Sequence, residues 1–168
     1  MSSRASKDLY YLKIAETVLE RSTCLRRKYG AVIVKNDEIV STGYNGAPRG
    51  TVNCVDSGTC KREKLMIPKG QRYELCRAVH AEENAIISAG RAKTLGATLY
   101  IVGKEVSTGD YANPCPCMMC CKAIINAGID KVICFSGEEP YTIQVPELLD
   151  KYCREAEETL SKEEKANA

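Results

Sequence analysis

Hydrophobic positions along this chain switch between two periods, and the switches mark its elements. From Ala5 to about Lys28, Leu12, Ala15 and Leu19 recur three and four apart with Tyr11 and Val18 beside them, which predicts an amphipathic helix. Two short runs rich in β-branched residues follow, Ala31 to Lys35 and Glu38 to Thr42, and the Asn36-Asp37 pair between them predicts a hairpin turn. Periodicity lapses from Asn45 to about Arg72, where Gly, Pro, Asn and charged residues dominate. A stretch that long without its own structure is usually functional, or is tied down by something other than a core. Helical spacing returns at Ala81, Ala85 and Ala89. After it come the apolar run "ATLYIVG", a second loop, a helix through "MMCCKAIINAG" stopped by Gly128, the strand "KVICF" and the amphipathic "VPELLDKYCREAEETL". The closing "SKEEKANA", residues 161–168, predicts a frayed tail.

Helices alternating with short apolar strands after an opening hairpin predict an α/β fold of three layers, α/β/α, with a central mixed sheet and helices on both faces. At 168 residues the chain has the size of one domain, taken as 1–168. Hydrophobic residues make up 44% and charged residues 27%, ordinary for a globular protein. No apolar run reaches the length of a membrane span. The amphipathic N-terminus does not read as a secretory signal, so a cytoplasmic location is expected. The net charge of +2, from 24 basic and 22 acidic residues, points to small ligands rather than nucleic acid. Ten cysteines in such a chain point to metal binding or thiol chemistry rather than disulfides.

The chain has a single histidine, His80, at the start of one helical pattern, and Glu82 stands two places after it. At the start of another is Pro116-Cys117-Met118-Met119-Cys120. Read singly, these are a helix cap or core histidine, and a redox pair or half of a structural zinc site. Together they reproduce the H-x-E and P-C-x-x-C signature of zinc deaminases. A hydrolytic zinc needs three protein ligands and an open position, and one imidazole with two thiolates supplies that count. Cys117 and Cys120, one turn apart at a positive helix end, can face one ion as thiolates. Glu82 is then left free as the group that moves protons. Cys115 and Cys121 point away from this pair and are expected to be spare thiols. Cys24, Cys54, Cys60 and Cys76 form the set for a possible second, structural zinc that would hold the long loop, the alternative being small buried thiols. Arg26, Arg27 and Arg49 lie near these loops and are candidates for a nucleotide phosphate, against the ordinary reading of solvated surface arginines.

Over about residues 8–135 the chain resembles the cytidine and deoxycytidylate deaminase family, nearest its deoxycytidylate branch. The likeness rests on "STCLRRKYGAVIVKNDEIVSTGYNGAPRG", "HAEENAI", "LYIVG" and "PCMMCCKAIINAGIDKVI". It implies a cytidine-deaminase-like fold and one catalytic zinc per chain on His80, Cys117 and Cys120, with Glu82 as proton carrier. The implied reaction is hydrolysis of dCMP to dUMP and ammonia, feeding thymidylate synthesis. It also implies substrate contacts from Asn45, to the sugar, and from Ala81. A homo-oligomer, hexamer or dimer, and regulation by dCTP and dTTP are implied as well. Asn45 could instead be a turn residue in left-handed conformation. Two departures stand out. The segment "GKEVSTGDYAN" is longer than the family's usual step and is expected to reshape the mouth of the pocket, and the fifth strand is either "YTIQV" or missing. Competing functions are a deaminase of a nucleoside or free base (cytidine, cytosine, guanine), a tRNA adenosine deaminase, disfavoured by the balanced charge, and a zinc-bound structural module without turnover.

Overall fold

The apolar runs pair into one sheet whose central strands bury both of their faces beneath helices, while the two edge strands stay largely exposed. A computed structural model describes residues 4–68 and 70–166. In chain order the elements are α1 (Lys7–Leu19), β1 (Arg27–Lys35), β2 (Glu38–Tyr44), the short α2 (Cys54–Ser57) and α3 (Lys61–Lys64), a 3-10 turn (Tyr73–Leu75), α4 (Ala81–Ala89) and α5 (Arg91–Thr94). They continue with β3 (Thr98–Glu105), α6 (Met118–Ala127), β4 (Lys131–Phe135), β5 (Tyr141–Gln144) and α7 (Val145–Ala166). The sheet order is β2-β1-β3-β4-β5. Only β3 and β4 run parallel, joined by the crossover through α6, and the other neighbours are antiparallel.

Alternation along the strands sorts the core into two layers. Val32, Val34, Tyr100, Val102 and Ile133 meet Tyr11, Leu12, Ala15 and Leu19 of α1 on one face. Ala31, Ile33, Leu99, Ile101, Val132 and Cys134 meet Ala81, Ala85, Cys120, Ile124 and Leu148 on the other, beneath α4, α6 and α7. This is the three-layer α/β/α arrangement with a mixed sheet. Asn36 and Asp37, with φ of 51° and 66°, form the two-residue turn of the hairpin, in the left-handed conformation that suits the strand twist.

Several elements differ from their sequence-based expectations. The first helix ends at Leu19 rather than near Lys28, because Ser22 and Thr23 bond to Asn45 instead of continuing the helix, and Arg27 already belongs to β1. The fifth strand exists as Tyr141–Gln144 on the edge of the sheet. Helix α7 runs to Ala166, past the point where a frayed tail is expected, since Lys, Glu and Ala are strong helix formers; residues 167–168 lie outside the described residues. No described helix is long and apolar enough to cross a membrane.

Candidate metal centre

Two helix N-termini converge on one point. His80 caps α4, its N–H donating to Glu83 Oε2 at 3.2 Å, and the residue before it is held to Gly46 by paired backbone bonds of 2.8 and 3.1 Å. Gly43 of β2 lies under the first turn of α4 with no side chain between them, so the helix rests directly on the sheet. Cys117 caps α6, and its carbonyl accepts from the Cys121 N–H at 2.8 Å. Cys120 is one turn further along, fully buried.

Among the described residues, His80, Cys117 and Cys120 are the one group of three or more His, Cys, Asp or Glu whose ligand atoms lie within 4.8 Å of one another. His80 Nδ1 is 3.3 Å from Cys120 Sγ and 3.5 Å from Cys117 Sγ. Zinc bonds of about 2.3 Å to sulfur and about 2.0–2.1 Å to nitrogen, at tetrahedral angles, set such donors roughly 3.5 Å apart. The donor set therefore fits a tetrahedral zinc. Electrostatics agree. The Cys117 thiol is pulled down to about 4 by the Cys120 and His80 hydrogen bonds, against burial. The Cys120 thiol is pushed far up by its bond to Cys117, by burial and by Glu82. Burial opposes a charge on His80, yet Cys117 and Glu82 raise its pKa to about 9. Hydrogen bonding between the two thiols thus pulls them in opposite directions, and a divalent cation would favour the thiolate form of both.

Glu82 is 5% exposed and stands outside the ligand group. Burial pushes its carboxyl up, and the nearby His80 only partly offsets this. A buried carboxyl with heightened proton affinity beside these three candidate ligands suits a group that must both take and give a proton.

The pocket over this cluster is lined by Tyr29, Asn45, Arg62, Tyr73, Ala81 and Cys115, among others. Ala81 is the first residue of α4, so its N–H has no carbonyl partner within the helix. Asn45 is buried, and its φ is not left-handed. Its Oδ1 accepts from Ser22 Oγ at 2.6 Å and the Tyr29 N–H at 2.7 Å, and its Nδ2 donates to the Arg27 carbonyl at 2.8 Å. It is a brace between the start of β1 and the loop after α1, with one amide hydrogen to spare. Arg26 and Arg27 reach the pocket but pair with Glu63 and Glu105, and Arg49 is not in the lining.

Cys24, Cys54, Cys60 and Cys76 gather in one neighbourhood without meeting as metal ligands do. Cys54 is raised first by burial, then by Cys24, with Cys76 and Cys60 adding to it, yet no three of these thiols lie within 4.8 Å of one another. The insertion does not reach the pocket: residues 104–112 fold back against the end of β3, with Ala112 N–H on Gly103 O and Tyr111 against Phe135. It shapes the α1 side of the sheet instead. Sequence reasoning missed Arg62 and Tyr73. Arg62 is 4% exposed; its guanidinium bonds the carbonyls of Gln71 and Pro68 at 2.6 and 2.9 Å and lies 4.4 Å over the Tyr73 ring, whose centroid is 5.1 Å from that of His80. Only a buried arginine amid a polar loop could have hinted at this, and burial there is invisible to periodicity.

Residues 5–136 match the family described as the cytidine and deoxycytidylate deaminase zinc-binding region. The deoxycytidylate deaminase of Mycobacterium phage D29 is 38% identical over 136 residues, 78% of this chain and 95% of the phage protein. That of Schizosaccharomyces pombe is 36% identical over 130 residues, 77% of this chain but 37% of the yeast protein, so the chain spans well under half of that relative. Among solved structures, the dCMP deaminase from the cyanophage S-TIM5 in complex with dCMP and dUMP is 29% identical, with 77% of this chain and 82% of that chain covered and a TM-score of 0.53.

Proposed function

Because this chain belongs to the cytidine and deoxycytidylate deaminase family, we propose that it hydrolyses dCMP to dUMP and ammonia. The observation that carries the reading is the meeting of His80, Cys117 and Cys120 donors at tetrahedral spacing beside the buried Glu82. His80, Cys117 and Cys120 would hold the zinc, which when bound lowers the pKa of water to near neutrality. Glu82 takes a proton from water on its carboxylate as water adds to the ring carbon bearing the amino group. It passes that proton to the ring nitrogen, then takes the remaining proton from the new hydroxyl on the carbon and gives it to the departing amine, so that the carbonyl forms as ammonia leaves. Burial keeps Glu82 able to hold the proton between these transfers. The Ala81 N–H, unpartnered within α4, and the spare amide hydrogen of Asn45 are the proposed substrate donors.

The choice of dCMP rests on the three relatives named above, each of them a deoxycytidylate deaminase. Ammonia release from dCMP, CMP, deoxycytidine, cytidine, cytosine and guanine tests it. Preference for dCMP is expected, and turnover confined to a nucleoside or base would overturn it. Adding dCTP or dTTP to the same assay tests regulation by these nucleotides. A homo-oligomer is supported by apolar side chains left outside the core, among them Ile87 at 73% exposure. Ten free cysteines support a reducing, cytoplasmic setting. A second zinc on Cys24, Cys54, Cys60 and Cys76 is the proposed tie for the 45–72 loop, closing once the ion draws the thiols together.

A further inference from the structure

Between β3 and α6 the chain approaches Cys117 through "NPCP", a stretch whose two prolines donate no N–H and which lies in no helix or strand. Its carbonyls are held by side chains from other elements. Tyr29 Oη donates to Asn113 O at 3.1 Å, and Cys134 Sγ lies 3.9 Å from Pro114 O. The carbonyl of Pro116, the residue directly before the metal ligand Cys117, receives Lys151 Nζ at 2.9 Å, with Cys121 Sγ at 3.7 Å. A thiol is a weak donor, whereas an ammonium makes a charge-assisted bond about twice as strong as a neutral one. Lys151 also lies 3.2 Å from Cys115 Sγ, and its side chain is 30% exposed. Its carboxylate neighbour, Glu155, is 3.8 Å away on the same helix, so the shortest of these contacts is the one to the loop carbonyl.

Lys151 stands on α7, beyond the segment 5–136 that the family shares. We propose that Lys151 is a positioning residue for the metal centre: by holding the Pro116 carbonyl it fixes the peptide leading into Cys117 and so slows the loss of zinc. The alternative is a tertiary tie that merely docks α7 on the body of the protein.

The inference rests on the zinc reading of His80, Cys117 and Cys120. Its test is the rate at which the zinc-loaded protein yields its ion to a chromophoric chelator at neutral pH, alongside thermal unfolding. Lys151→Met is expected to release zinc about tenfold faster, the lower end of what outer-shell partners of a metal site contribute. Lys151→Arg, which keeps a charged donor, should recover most of that difference. Glu158→Gln, exposed further along the same helix, should leave the rate unchanged. If Lys151→Met does not fold, Lys151→Gln removes the charge and shortens the side chain while leaving a neutral donor, and faster release is again expected. A lower unfolding temperature with an unchanged release rate would leave Lys151 as a docking tie and overturn the inference. Unmutated protein that binds no zinc overturns the metal reading itself, which is a different failure.

Discussion

Substituting Gly43 by alanine should separate the placement of the site from the stability of the fold. A Cβ built on Gly43 would stand 2.3 Å from the Ala81 carbonyl oxygen and 2.4 Å from the Ala85 nitrogen, both backbone atoms of α4. Ordinary contact begins at about 3.5 Å, so the start of α4 must withdraw from the sheet by roughly 1 Å. That turn carries Ala81 and Glu82 and is capped by His80. Overpacking of this kind costs about 1–3 kcal/mol, and a 1 Å displacement of reacting groups can cost about 100-fold in rate. Gly30 provides the control on the opposite face. There a Cβ would stand 2.0 Å from Ala15 O and 2.6 Å from Leu19 N, so Gly30→Ala pushes on α1, which carries no site residue. Both variants should unfold at lower temperature, and only Gly43→Ala should lose most of its kcat/KM per folded, zinc-loaded molecule. The assay is ammonia release normalised to zinc content and to the folded fraction. Equal activity of the two folded variants would refute the argument that the absent side chain sets the position of α4.

Glu82→Gln should lower deamination by about 100-fold or more while zinc content is unchanged, because the carboxyl moves protons without binding the ion; loss of zinc together with activity would make it a ligand instead. Zinc analysis of fully reconstituted protein should give about two ions per chain if the four-cysteine tie forms, and one ion would reject it. Acid unfolding tests the Glu16 network with Lys104 and Tyr111. Burial raises the Glu16 carboxyl, but the hydrogen bonds and charge of its partners outweigh this and hold it below its ordinary value of 4.5. A carboxyl depressed in the folded state stabilises above its unfolded pKa, and that contribution fades as pH falls below about 4.5. Wild type should therefore exceed Glu16→Gln by about 1 kcal/mol or less near neutrality, with the difference vanishing in acid.

The grouping of His80, Cys117 and Cys120 was readable because its information is short-range. One histidine, a glutamate two places on and a thiol pair one turn apart mark the candidate chemistry before any tertiary contact is known. The Asn36-Asp37 turn was readable for the same reason. Asn45 was not, since its role depends on Ser22, Arg27 and Tyr29 arriving from either end of a loop that periodicity cannot trace. The mutual placement of Cys24, Cys54, Cys60 and Cys76 depends on that same path. The insertion after β3 gave its length but not its side of the sheet, which is decided by Tyr111 docking on Phe135 and Glu16. Lys151 looks like any helical lysine until α7 is packed against α6.

The solitary histidine makes this metal centre unusually easy to follow by magnetic resonance. A chain with one imidazole has one set of imidazole ring signals. Coordination through Nδ1 would leave Nε2 protonated, so the ring nitrogen spectrum reports occupancy and tautomer together, with no assignment step. Because the edge of one ring faces the other, those signals also sense the ring current of Tyr73. One resonance can therefore register both arrival of the ion and movement of the loop that Arg62 holds.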